Sequence, residues 1–238
     1  KNERAVLSTY LANIDQIELQ TEEGSTEQTV PHICRTVWGG YGMVRNDQAA
    51  AATSLPKPKL NTLWGAGLSF SKCHAEVIVP YDPYLDHVFD GEEFSRAARL
   101  FTWGYDLYTP HRNRVYHDYN SVMARWTNRE GNVQHAYARL FELFQMPQLS
   151  KDKMATKRPF DRFGKYGLGK CRTYQDFISF TGVDPIHHIA ANGSQCGNLT
   201  RVPFDIHNVD CDINSKYSTF LKQFSNNNNN DNNGNSAD

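Results

Sequence analysis

The side chains able to do chemistry concentrate between Trp64 and Tyr119. Glu92 and Glu93 are adjacent carboxylates at a helix start. Gly65-Ala66-Gly67 is a run small enough to admit a ligand or another backbone, and His117 lies in an alternating, strand-like run. For the carboxylates, helical phase decides the chemistry. Phe94, Ala97, Ala98 and Phe101 recur at i, i+3, i+4 and i+7 and form one apolar face. Glu92 then points away from that face alongside Arg96 and Arg99, while Glu93 lies at its edge, where partial burial raises a carboxyl pKa. The competing reading is two solvated acids complementing the helix dipole. His117 shares a strand face with Val115 and Tyr119. It ligates a metal only where carboxylates or histidines converge on it, and is otherwise a hydrogen-bonded core residue.

The elements that must position these groups are legible in outline. Ala5 to Leu11 reads as a buried strand, and Val30 to Val37 as a second one whose start Pro31 confines to an edge. Gly39, Gly40 and Gly42 mark a turn, Ala49 to Lys59 a connector, and Glu18 to Gln28 a surface loop. Val77 to Val79 reads as a short strand that stops at Pro80, with Tyr81-Asp82-Pro83-Tyr84 as a turn. Asp90 is the expected N-cap of the helix carrying the glutamates, with Glu93 completing a capping box. Asn132 is expected to cap a helix through Phe144 that buries Tyr137, Leu140, Phe141 and Phe144, and Pro147 to Arg158 is a basic, polar linker. Thr173 with Asp176 starts a further helix, which Gly182 ends.

Composition narrows the function class. The chain of 238 residues has a formal net charge of −1, which gives no sign of a nucleic-acid surface, and it can bury a substantial core. No apolar run reaches bilayer-spanning length. Five cysteines without a CxxC pair favour reduced thiols in a cytoplasmic protein. His187, His188, Cys196, His207 and Cys211 match no structural zinc spacing, so their grouping is read as chance. The asparagine-rich segment from about residue 225 is expected to be disordered, leaving residues 1–224 as one domain.

In order along the chain, VLSTY, WGAGLSFS, VPYDP, FDGEE, RLFTWGYDLYTP, VYHDY and KYGLGKCRTYQDFISFTGVD resemble the glycosyltransferase family typified by the Skp1-protein-hydroxyproline N-acetylglucosaminyltransferase. A more distant similarity is to the polypeptide N-acetylgalactosaminyltransferases. The resemblance implies an α/β, GT-A-type nucleotide-sugar transferase fold, and retaining transfer of GlcNAc from UDP-GlcNAc to a protein hydroxyl. The acceptor, Skp1-like or another hydroxyl-bearing polypeptide, would offer hydroxyproline, Ser or Thr.

Residue by residue, the resemblance makes His117 a ligand of a divalent metal (Mn²⁺ or Mg²⁺) and Glu92 a partner of donor-sugar hydroxyls, with Glu93 beside it near the acceptor. Gly65, Ala66 and Gly67 become the segment where backbone approaches the sugar, and Tyr81 and Asp82 the pocket wall. Trp103, Tyr105 and Tyr108 are candidates for stacking on sugar or peptide, with core packing the alternative for Trp103. The Gly167–Arg172 loop would close over the diphosphate. The family's Asp-x-His or Asp-x-Asp metal motif belongs upstream of VLSTY, so the chain is expected to be the acceptor-side portion of such an enzyme, with little turnover by itself. A non-catalytic carbohydrate- or protein-binding module of the same fold is the competing reading. Cytoplasm is the expected compartment, with the Golgi as the alternative.

Overall fold

A computed structural model describes residues 2–17, 28–120, 133–147 and 163–232, with side chains of the last helix described through residue 225. Residues 18–27 of the expected loop, the Asn132 cap, residues 148–158 of the expected linker and residues 233–238 of the expected tail lie outside the described residues. The apolar run at Ala5 forms β1 (Ala5–Thr9), an inner strand of a four-stranded mixed sheet. Its neighbours are β8 (Leu68–Ser71), antiparallel with Val6 opposite Ser71, and β9 (Asp106–Thr109), parallel with Val6 opposite Leu107. β7 (Lys59–Asn61) closes the far edge beside β9. Five helices accompany these strands among the described residues, so the expected α/β class holds.

Three two-stranded ribbons flank the sheet. β2 (Ala12–Asn13) pairs with β10 (Tyr116–His117), β3 (Thr29–His32) with β6 (Ala50–Thr53), and β4 (Thr36–Trp38) with β5 (Val44–Asn46). Two expectations need correcting here. The single strand over Val30–Val37 is two strands, because Cys34 between them is tied by a disulfide to Cys196 and the chain changes partner across it. The supposed connector contains β6, since a run of alanines offers no side-chain obstacle to pairing with β3.

Val77–Val79 is not a strand. Cys73–Ile78 forms the short helix α1, with Ala75 and Ile78 on its buried side; Val79 N–H bonds to Ala75 carbonyl, and Pro80 prevents extension. α2 (Glu92–Thr102) packs on β5, β9 and a later helix, and every residue from Phe94 to Thr102 is buried. Arg96 and Arg99 are therefore not on a solvent face, as helical phase had suggested. Arg96 donates to Val79 carbonyl and to Glu76 at 2.7 Å, and Arg99 donates to the Pro80 carbonyl at 2.6 Å. The chain leaving α1 has no ladder to satisfy these carbonyls, and guanidinium groups supply the donors.

α3 (Val133–Leu143) buries Tyr137, Leu140 and Phe141, with Phe144 just beyond it fully buried, as expected. α4 (Tyr174–Thr181) has the expected Thr173–Asp176 capping box and ends at Gly182, whose φ of 67° suits a residue without a Cβ. Phe94 binds the helices together, with ring centroids 5.0 Å from Phe144 and 5.3 Å from Phe177. α5 (Ile213–Asn232) packs on α1 and runs into the asparagine-rich segment. No helix among the described residues is long and apolar enough to cross a membrane.

The cysteines correct a further expectation. Cys34–Cys196 and Cys171–Cys211 are disulfides, and Cys73 alone is free. The spacing gave no hint because partners 162 and 40 residues apart are brought together only by the fold.

Candidate functional site

Glu92 and Glu93 open α2, but neither the expected N-cap nor the capping box forms. Gly91 occupies the N-cap position at φ 95°, where a Cβ would lie 2.8 Å from Met43 Cε. Asp90 instead accepts from Gly40 N–H at 2.5 Å and faces Arg45 at 3.9 Å. It thus anchors the glycine turn between β4 and β5 rather than the helix.

Glu93 is committed to tertiary donors. Its Oε1 accepts from Ala66 N–H at 2.8 Å, and its Oε2 accepts from Tyr10 Oη at 2.7 Å and Asn46 Nδ2 at 2.9 Å. Each donor is itself placed by a neighbouring element. Tyr10 follows β1 directly, and Asn46 ends β5 with its amide also donating to Trp64 carbonyl at 2.8 Å. Ala66 is held by the glycines on either side. A Cβ on Gly65 would lie 2.4 Å from Ile33 Cδ1, and one on Gly67 would lie 3.1 Å from Thr9 carbonyl oxygen. Small residues here serve close approach of backbone to backbone, and that approach delivers the Ala66 N–H to the carboxylate.

The pair is electrostatically unequal. Burial raises the pKa of both carboxyls. On Glu93 the three donors oppose that rise, because they favour the ionised form. Glu92 reaches about 7, pushed first by burial and then by the Glu93 charge, with Arg96 opposing. When the pair holds one proton, that proton belongs on Glu92. Tyr10, beside the Glu93 charge, has its own pKa raised by burial and by that charge, and stays a donor.

Both carboxyls line a cavity of about 680 Å³ whose wall includes Tyr10, Arg45, Asn46 and Ala66. A partly open cavity of that size, whose mixed wall holds two carboxyls, an arginine and an amide, suits a polyhydroxylated ligand. Tyr10 and Asn46 were not singled out in the sequence. Tyr10 ends the VLSTY run, and only the strand pairing that sets its position makes it a partner of Glu93.

The other expected site residues fall in several places. Ala66 is in the cavity wall. Tyr81 and Asp82 are not: Asp82 accepts from Arg139 Nε at 2.6 Å with side chains 3% and 5% exposed, and the Tyr81 ring covers the Arg96 guanidinium at 4.5 Å. Trp103 donates to Gly167 carbonyl and lies under Lys216, Tyr105 is buried against His74, and none of Trp103, Tyr105 and Tyr108 lines the cavity. The Gly167–Arg172 loop is clamped to the end of α2. Gly169 N–H bonds to Thr102 Oγ1 at 2.8 Å, and Arg172 is buried against Asp106 at 2.5 Å.

His117 sits opposite Asn13 in the β2–β10 pair, its ring centroid 4.5 Å from that of Tyr119, which does line the cavity. Its Nδ1 is buried and has no hydrogen-bond partner among the described residues, which fits a ligand nitrogen. Among the described residues, however, no group of three or more His, Cys, Asp or Glu stands together to hold a metal ion. His117 offers one bond, not a cage. Of the C-terminal set, Cys196 and Cys211 belong to different disulfides, His187 pairs with Asp184 at 2.6 Å, and His188 stacks on Trp38 at 3.7 Å.

No curated protein and no solved structure matches this chain. A family model does: that of Glycosyltransferase (GlcNAc), over residues 1–187, a span containing both carboxyls, their three donors and His117. The chain belongs to the glycosyltransferase (GlcNAc) family.

Proposed function

We propose that the cavity at the start of α2 binds the sugar of UDP-GlcNAc, and that the protein transfers GlcNAc to a polypeptide hydroxyl with retention of configuration. The observation that carries this reading is the division of labour between the two carboxyls. Glu93 is fixed by Tyr10, Asn46 and Ala66 N–H, while Glu92 faces the same cavity with a pKa of about 7. A carboxyl poised near neutrality both donates to and accepts from sugar hydroxyls, and a fixed neighbour sets its position. Glu92 is then the sugar-contacting group and Glu93 the positioning one.

In the reaction, the acceptor oxygen bonds to the anomeric carbon on the face from which UDP departs. The bond from that carbon to the diphosphate oxygen breaks, and the hydroxyl proton passes to the departing diphosphate. Protein groups orient the partners and stabilise charge. A divalent metal would neutralise the diphosphate, and His117 is the described residue that fits as a ligand. The acceptor would be hydroxyproline in a Skp1-like protein, or Ser or Thr in another polypeptide. The two disulfides favour an oxidising compartment, the Golgi rather than the expected cytoplasm.

Ligand-observed NMR on the chain with UDP-GlcNAc tests the donor assignment. Saturation should reach the GlcNAc ring protons in the wild type and fall sharply in Glu92→Gln, with folding checked by circular dichroism. Equal saturation of the ring in both proteins would sink the assignment.

A further inference from the structure

A second cavity, of about 480 Å³, adjoins the first and shares Tyr10, Gln48 and Tyr119 with it. Its chemistry is different. The first cavity holds Arg45, Asp47, Glu92 and Glu93; the second, among the described residues, has no Asp, Glu, Lys, Arg or His in its wall. Its remaining wall is made by Leu11 and Gln16, the Thr29–Pro31 run of β3, and Ala49, Ala50 and Ala51. These belong to a ribbon in which Pro31 pairs with Ala51 and His32 with Ala50.

We propose that this second cavity is the acceptor site, and that it takes an extended, uncharged polypeptide segment whose hydroxyl-bearing residue is flanked by small apolar side chains. The inference rests on the donor reading of the first cavity. Four features select this occupant. The shared wall puts whatever fills the second cavity next to the sugar, where a glycosyl acceptor must be. A wall without ionisable acids or bases desolvates a neutral peptide at little cost, but would strand a charged side chain without a partner. A saccharide acceptor would need a denser set of polar partners than Gln16, Gln48, Thr29 and two tyrosines provide. The alanines leave room for a backbone to lie close, and β6 has β3 as its only sheet partner among the described residues, so an extended segment can align along it. Gln48, at the junction, is placed to meet the acceptor hydroxyl, while the Tyr10 and Tyr119 hydroxyls, which donate to Glu93 and to Leu11 carbonyl, can accept from it.

The test uses the whole chain and a panel of fluorescein-labelled peptides, each with a central Ser or Thr flanked by Ala and Val, or by Asp, or by Lys. Ala51 is exposed, so Ala51→Glu and Ala51→Lys are expected to fold, and melting curves verify this. Fluorescence polarisation with UDP present should show binding of the neutral peptides, weakened by about tenfold or more in both variants, because either charge must be desolvated against an apolar segment. UDP-GlcNAc ring saturation by NMR is the donor control in every protein. Neutral peptides that bind both variants as well as the wild type would overturn the proposal. So would a preference for acidic peptides gained in Ala51→Lys without loss of the neutral ones, or binding of GlcNAc oligomers in place of peptides. A donor signal with no peptide binding in the wild type would overturn it while the donor reading stood. Loss of both signals in the wild type would sink the donor reading, and this inference with it.

Discussion

Replacing Glu92 by Gln should make the protein more stable at neutral pH, and the gain should vanish in acid. The Glu92 pKa rises from 4.5 to about 7 on folding. The folded state therefore holds its proton where the unfolded chain has lost it. Stability is unaffected by this group below pH 4.5, declines as pH climbs from there to about 7, and is lower by a constant amount above that. At roughly 1.4 kcal/mol per unit the ceiling is about 3 kcal/mol. Partial solvent access and coupling to Glu93 bring the expected effect to ~1–2 kcal/mol. Gln keeps the shape and carries no charge, so urea unfolding of both proteins at several values between roughly pH 4 and 8 isolates the term. The difference curve is the readout, because other groups tilt the wild-type curve. His32, buried with a pKa lowered to about 4, adds a slope of opposite sign between that value and its unfolded one. A difference that stays flat across the range, or grows toward acid, would refute the reasoning that Glu92 is the strained member of the pair.

Tyr10→Phe removes one of three donors from a half-buried carboxylate and should cost roughly 1–3 kcal/mol in urea unfolding at neutral pH, with the pKa of Glu93 rising further. Asp82→Leu alone strands the Arg139 guanidinium and should cost about 3–5 kcal/mol, much of which the double variant Asp82→Leu/Arg139→Met recovers; an uncorrected double variant would contradict a buried pair acting as scaffold. Removing Cys34–Cys196, which closes a separation of 162 residues, should destabilise more than removing Cys171–Cys211, which closes 40, with chain-entropy ceilings of roughly 5 and 4 kcal/mol; thermal melts of the two double-serine variants rank them.

Much of the fold was legible because its signals are local. The capping box of α4, the glycine that ends it and the apolar stripe of α2 each follow from residues within a turn or two of one another. Errors arose where a distant partner overrides local chemistry. Arg96 and Arg99 occupy phases that look solvated, yet they are buried because the chain leaving α1 presents carbonyls that lack donors. Val77–Val79 has strand-like composition, but one helical turn with Ala75 and Ile78 facing inward buries it better. The disulfides depend on separations that no spacing rule reaches. Tyr81 and Asp82 form a turn as expected, but the turn is spent on holding Arg96 and Arg139 and does not wall the cavity.

The glutamate pair shows both regimes in two adjacent residues. Locally, Glu93 is the N3 partner of a capping box, and Glu92 is an acid complementing a helix dipole. The fold brings three donors to Glu93 from positions 83, 47 and 27 residues away, and they outcompete the local cap. Gly91 then takes the N-cap position without any side chain to satisfy the helix. Once Glu93 is pinned as an anion, Glu92 cannot ionise at its usual pH, since burial and a like charge act on it together. The unusual carboxyl is thus a consequence of its ordinary-looking neighbour. Under the proposed function it also orders the two roles that the sequence left open, because a fixed carboxylate suits positioning and a free, nearly neutral one suits contact with sugar hydroxyls. If that order is right, Tyr10→Phe should change the pH at which Glu92 titrates, whereas a purely structural Tyr10 would change stability alone.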